Sequence, residues 1–150
     1  MSIEQEVEIL RNIPMFAKIE PAKLKLMAFA SERLSFKPGQ VLFKQGDAGD
    51  SAYIMIEGTA DVIVDTPDGE LRVAQLSRND IVGEIAILCD VPRTATVRAS
   101  DKVTTLKITT DLFFRMVTDF PDMGIEIMRS LAQRLENTTA QLREARAAGK

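Results

Sequence analysis

The spacing of hydrophobic positions along the 150-residue chain changes twice, and each change predicts a different kind of element. At the start it has a helical period. Ile3, Val7 and Leu10 fall on one helical face. Ser2 followed three residues later by Gln5 is a capping-box pattern that opens that helix. Asn12-Ile13-Pro14 interrupts it. A second helix is expected from Pro21, a residue suited to a first helical turn, with Leu24, Met27 and Ala28 as its buried stripe.

From Ser31 to Ile108 the apolar runs shorten and turn signals recur: Lys37-Pro38-Gly39, Gly46-Asp47-Ala48-Gly49-Asp50, Glu57-Gly58 and Thr66-Pro67-Asp68-Gly69. Between them lie strand candidates at Arg33–Phe36, Val41–Phe43, Tyr53–Ile56, Ala60–Val64, Leu71–Leu76, Thr94–Ala99 and Val103–Ile108. Ala60, Val62 and Val64 alternate onto one strand face, as do Ala95, Val97 and Ala99. Regularly spaced short strands predict a sandwich, jelly roll or barrel. Gly83–Leu88 breaks the texture: a glycine followed by good helix formers predicts one helical turn between strands.

The last third returns to a helical period, with a short helix over Asp111–Thr118 and a long one from Pro121 to about Ala147. The long helix would extend roughly 40 Å. Met128, Leu131, Leu135, Thr138, Leu142 and Ala145 repeat in alternating steps of three and four, a heptad seam. Two readings fit: a dimerisation helix, or an amphipathic helix lying on its own domain. Arg143–Lys150 is expected to fray.

Composition narrows the chemistry. Apolar residues make up 45% and charged residues 27%, ordinary for a globular chain. At this length, folding hides roughly 68–70% of the unfolded surface, enough for a core without covalent staples. A net charge of -3 argues against direct binding of nucleic acid, which takes clustered Lys and Arg. With no histidine, Ser-His-Asp and Cys-His nucleophilic sites and His-ligated metals are excluded, so no metal is expected. That absence also counts against an enzyme of the metal-dependent jelly-roll kind. The lone Cys89 forms no internal disulfide, suits a reducing compartment, and is expected as a small buried hydrophobe. No apolar run is long enough to span a membrane, and the acidic N-terminus lacks a signal core, so a cytoplasmic location is expected.

The chemically informative segment is Gly83-Glu84-Ile85-Ala86-Ile87-Leu88-Cys89-Asp90-Val91-Pro92-Arg93-Thr94-Ala95-Thr96-Val97. Gly83 lets backbone approach a ligand closely. The turn from Glu84 onward presents N–H groups that favour an anion, and the small Ala86 keeps the approach open. Arg93 adds a planar, permanently charged fork for phosphate oxygens, and Thr94 a hydroxyl and an N–H. Ionised Glu84 accepts a hydrogen bond from a sugar hydroxyl. Together they describe a pocket for a small phosphate ester bearing a hydroxyl. A surface salt bridge between Glu84 and Arg93 is the plainer alternative.

These residues resemble the phosphate-binding cassette of the cyclic-nucleotide-binding domains, as in the bacterial catabolite activator proteins and the regulatory subunits of cyclic-AMP-dependent kinase. The match runs through Gly83-Glu84-Ile85-Ala86 and Pro92-Arg93-Thr94-Ala95-Thr96. Ile13-Pro14-Met15-Phe16, Phe36-x-x-Gly39, Leu42-x-x-Gln45-Gly46-Asp47, Asp50-x-x-Tyr53 through Gly58, and Asp80-x-x-Gly83-Glu84 fit in order. The resemblance implies a mainly β fold with flanking helices: a β-jelly-roll (double-stranded β-helix). N-terminal helices would occupy residues 1–30, the roll 31–108 with its cassette at 83–97, and C-terminal helices 111–147. It implies that Glu84 binds the ribose 2′-hydroxyl and Arg93 neutralises the cyclic phosphate. The N–H groups of Ala86 and Thr94 would complete the cradle, Gly83 keep the sugar side open, and Val62 pack on the base. Thr138 and Thr139 stand where the activator branch reaches adenine, one hydroxyl from each subunit of a homodimer. Cyclic AMP is thus the implied ligand, with cyclic GMP the alternative because Thr94 accompanies it in parts of the family. The activator branch continues into a helix-turn-helix domain; this sequence runs to Lys150, so either a free-standing sensor or a piece of a longer protein is expected. The expected protein is a non-enzymatic sensor acting through a downstream protein partner; a dimeric scaffold without ligand is the alternative.

Overall fold

Ser2 opens the first helix as its capping pattern predicts. Its Oγ accepts from the Gln5 N–H at 3.3 Å, and Gln5 Oε1 accepts from the Ser2 N–H at 2.9 Å. The computed structural model describes residues 2–13 and 16–148. Pro14 and Met15 of the expected N-terminal motif lie outside the described residues. Helix α1 covers Ile3–Arg11 and α2 Pro21–Ala30, with Pro21 in the first turn and Leu24, Met27 and Ala28 buried. Eight strands follow in chain order, broken by one helix: β1 (Glu32–Phe36), β2 (Val41–Phe43), β3 (Ser51–Glu57), β4 (Ala60–Thr66), β5 (Gly69–Leu76), β6 (Ile81–Val82), α3 (Glu84–Cys89), β7 (Thr96–Ala99) and β8 (Val103–Thr109). Helices α4 (Thr110–Asp119) and α5 (Pro121–Ala148) end the described chain.

The strands form two four-stranded sheets, β1-β8-β3-β6 and β2-β7-β4-β5, with every pairing antiparallel. The strand spacing left a sandwich, jelly roll or barrel open, and the two sheets form the β-roll that the resemblance implies. Strand β3 shows why the core divides. Ala52, Ile54 and Ile56 join one apolar cluster with Leu10, Leu24, Phe113 and Met123 from the helices. Tyr53 and Met55, on the opposite face of the same strand, join a second cluster with Leu76, Val82, Val97 and Val103 from both sheets. Alternation places successive side chains on opposite faces, and both are covered, so β3 reads as a continuous apolar run.

Several boundaries move. β6 was not expected: two residues between turns are too short to show a period. β7 begins at Thr96 rather than Thr94, leaving Thr94 and Ala95 in irregular backbone beside the site. Cys89 is exposed, not buried as expected. It ends a six-residue helix whose buried face is taken by Glu84, Ala86 and Ile87. Helix α5 continues to Ala148 through the segment expected to fray, and Gly149 and Lys150 lie outside the described residues.

The seam on α5 is split. Leu131 packs against the helical core cluster, beside the buried Met123 and Ile127. Met128, Leu135 and Leu142 are 62%, 67% and 63% exposed. The helix therefore packs into the apolar core only near its start. Met128, Leu135 and Leu142 project away from that cluster.

Phe113 holds α4 on the roll and is fully buried. Phe113→Ala is expected to cost about 3–5 kcal/mol by lost transfer energy and cavity formation. A denaturant titration measures it directly, and a loss below 1 kcal/mol would mean that the site collapses around the missing ring.

Candidate functional site

Arg93 is fixed before anything binds it. Its N–H donates to the Asp47 carbonyl at 2.8 Å, and its carbonyl accepts from the Gly46 N–H at 2.8 Å. The turn signal at residues 46–50 thus anchors the backbone of a residue far along the chain. The side chain runs inward and is 4% exposed. Nη1 donates to the Gly83 carbonyl at 3.0 Å, and Nη2 to the Ser51 carbonyl at 2.7 Å and Ser51 Oγ at 3.3 Å. The guanidinium carbon lies 4.0 Å from the Phe43 ring centroid, a cation–π stack. Gly83 has φ +91°, and a Cβ there would stand 2.6 Å from Arg93 Nη1. Only a residue without a side chain admits both that backbone and that guanidinium. Burial draws the Arg93 pKa below its ordinary value, while Tyr53, Asp50, Asp47 and Glu84 pull it back up. The group stays cationic.

Glu84 opens α3 and is 1% exposed. Its Oε1 accepts from Arg134 Nη1 of α5 at 2.8 Å, and Arg134 Nη2 also donates to the Ile81 carbonyl. The expected alternative, a surface salt bridge between Glu84 and Arg93, does not form. Both groups are buried, and the carboxylate pairs with Arg134 instead. Burial raises the Glu84 pKa above the usual carboxylate value, outweighing the opposite pull of Arg134. Among the described residues, Glu84 Oε2 and Arg93 Nε are buried without a hydrogen-bond partner. One is an acceptor and the other a charged donor. Each costs free energy while unpaired.

Both residues border a cavity of about 580 Å³, within the range of small-molecule sites. Its apolar wall comes from β4 and β5 through Val62, Val64, Val73 and Ala74. Its floor carries Gly83, Glu84, Ile85 and Ala86, with Arg93 and Thr94 beside them. Helix α5 closes one side with Arg134, Asn137, Thr138 and Gln141. The floor is tightly built. A Cβ on Gly49, in the loop before β3, would stand 2.2 Å from the Ala86 Cβ.

Gly83, Glu84, Ile85, Ala86, Arg93, Thr94, Val62 and Thr138 thus border one cavity, although they come from three parts of the chain. Thr139 does not: it is exposed, one residue further around α5. Phe43, Ser51, Arg134, Asn137 and Gln141 were missed in the sequence. Arg134 had a signal of a kind, since it sits four residues before Thr138 and so shares its helical face. Ser51 and Phe43 had none, because pairing across strands brings them to Arg93.

The family described as cyclic nucleotide-binding domain matches residues 33–120 of this chain. A cAMP-dependent protein kinase regulatory subunit from Blastocladiella emersonii is 33% identical over 115 residues, which is 76% of this chain and 28% of that protein. A CRP-like cAMP-activated global transcriptional regulator from Mycobacterium tuberculosis is 28% identical over 136 residues, 90% of this chain and 61% of that one. The chain therefore spans less than two thirds of the length of these curated relatives. Among solved structures, the regulatory subunit of a cAMP-independent protein kinase A from Trypanosoma brucei superposes with a TM-score of 0.77 at 28% identity, covering 93% of this chain and 51% of that one.

The raised pKa of Glu84 has a consequence for stability. Folded Glu84 holds its proton to higher pH than an unfolded glutamate, whose pKa is near 4.5. As pH rises past that value the folded state loses stability from this group, until the raised pKa is passed. Glu84→Gln has no such proton. Thermal melts of both proteins from acid to neutral pH are expected to show the parent losing ground to the variant, and a constant gap would contradict the assignment.

Proposed function

This chain belongs to the cyclic nucleotide-binding domain family, and from its pocket we propose that it is a non-enzymatic sensor for cyclic AMP. The observation that carries the proposal is the pair of buried, unpartnered atoms Arg93 Nε and Glu84 Oε2, on two residues that line one cavity. A cyclic phosphate accepts from the first and a ribose hydroxyl donates to the second. The N–H groups of Ala86 and Thr94 complete the phosphate cradle, Ile85 and Gly83 shape the sugar side, and Val62 packs on the base. The fold by itself does not name the ligand, since the Trypanosoma brucei relative is described as cAMP-independent. Cyclic GMP is the second reading, favoured by the Thr94 side chain on the cavity wall.

Transmission runs through Arg134. It ties α5 to the carboxylate that the sugar would engage and to the carbonyl of Ile81. A ligand that engages Glu84 differently in two positions of α5 shifts the balance between them, and only by that difference. At 100 times its dissociation constant a ligand stabilises the state it binds by about 2.7 kcal/mol. The readout would pass to a downstream protein partner in the cytoplasm. The exposed Met128, Leu135 and Leu142 support a homodimer through α5. Thr139, outside its own cavity, would then serve the site of the second copy.

Calorimetric titration with cyclic AMP and cyclic GMP tests the reading, and absence of heat with both nucleotides would favour a ligand-free scaffold. Arg93→Ala removes charge-assisted bonds worth about 1.5–3 kcal/mol each, so affinity is expected to fall at least about tenfold. Arg93→Lys keeps the charge but not the fork, and should fall between the two. Unchanged affinity in a folded Arg93→Ala protein would remove Arg93 from the site. Sedimentation at tens of micromolar is expected to show a dimer that Leu135→Glu with Leu142→Glu converts to monomer; a monomeric parent would overturn the dimer.

A further inference from the structure

The α5 wall of the cavity carries two carboxamides that the phosphate and sugar roles leave unused, Asn137 and Gln141. Arg134, Thr138 and Gln141 follow steps of four and three along one helical face, with Asn137 beside them. Gln133, one turn before Asn137, donates from Nε2 to Asn137 Oδ1 at 3.1 Å. That bond orients the Asn137 amide and leaves its Nδ2 hydrogens as donors. Gln141 has no hydrogen-bond partner among the described residues, so it offers both an oxygen and an NH₂ group. The cavity also has an apolar wall at Val62, Val64 and Val73. A purine has the same division: flat apolar faces and a polar edge.

We propose that Asn137 and Gln141 read the edge of the base, with Gln133 as a positioning residue, and that they favour adenine over guanine. The proposal rests on the cyclic-nucleotide reading of the cavity. Adenine presents an amino donor at N6 next to an acceptor at N7, and one free carboxamide satisfies both. Guanine presents two acceptors there, O6 and N7. The Gln141 oxygen would then face another acceptor, with no hydrogen between them. The Asn137 donor adds a bond to whichever ring nitrogen lies near it.

The test is the ratio of dissociation constants for cyclic AMP and cyclic GMP, measured by calorimetry on the full chain and on Gln141→Leu, Asn137→Leu and Gln133→Ala. The parent is expected to prefer cyclic AMP. Gln141→Leu should reduce that preference about tenfold, as loss of a bidentate base contact does. Asn137→Leu should reduce it less, and Gln133→Ala should move it the same way by freeing the Asn137 amide. A merely structural Gln133 would weaken both nucleotides equally and leave the ratio alone. A ratio unchanged in both leucine variants, with binding intact, would overturn this assignment and leave the nucleotide reading standing. No binding of either nucleotide to the parent would remove both.

Discussion

A guanidinium almost wholly withdrawn from water is the constraint around which this fold is arranged. Burying an unsatisfied charge costs far more than one ordinary contact contributes, so Arg93 is tolerated only because its surroundings supply partners. Those partners come from everywhere at once: carbonyls of Ser51 and Gly83, the ring of Phe43, and a backbone clamp from Gly46 and Asp47. Strands β2, β3 and β6 and the loop before β3 must all be in place for that set to exist. The fold and the setting of Arg93 are thus one arrangement.

A second charge links the roll to the helix that leaves it. Glu84 lies deep at the start of α3, and Arg134 reaches it from the middle of α5. Only the carboxylate is buried, the Arg134 side chain being 35% exposed, so removing Arg134 would leave a buried charge uncompensated. The start of α5 is held by ordinary packing at Met123, Ile127 and Leu131, and its later part by this polar tie. The two attachments differ in kind. Packing is indifferent to what enters the cavity, whereas a carboxylate on the cavity floor is not. A segment anchored at one end by oil and further along by charge is suited to reporting what reaches that charge.

Much of the roll was legible because turns punctuate strands. Lys37-Pro38-Gly39, Glu57-Gly58 and Thr66-Pro67-Asp68-Gly69 bounded β2, β4 and β5 closely. The cassette was legible for a different reason: glycine, acid, small residue and arginine occur in one short stretch whose spacing is set by local chemistry. What escaped were features made by tertiary contact. β6 spans two residues and exists because β3 runs beside it. Cys89 looked buried because it follows two apolar residues, yet a helix of six residues has one inner face, already filled. Arg134 is one of several arginines on α5, and only its spacing of four from Thr138 marks it as the one that turns inward. Thr138 and Thr139 are adjacent in sequence, but a helix separates them by about 100° and only Thr138 borders its own cavity.

The missing side chain at Gly49 has a reach that its position in a surface loop does not suggest. Its hydrogen is what lets the Ala86 methyl settle where it does, since even one carbon there would overlap it at 2.2 Å. The two positions therefore share a single fixed volume, and neither can grow alone. Substitutions at residues 49 and 86 are expected to be strongly non-additive, because residues in contact do not contribute independently. A loop glycine in this protein is in effect a packing residue behind Ala86 of the pocket floor.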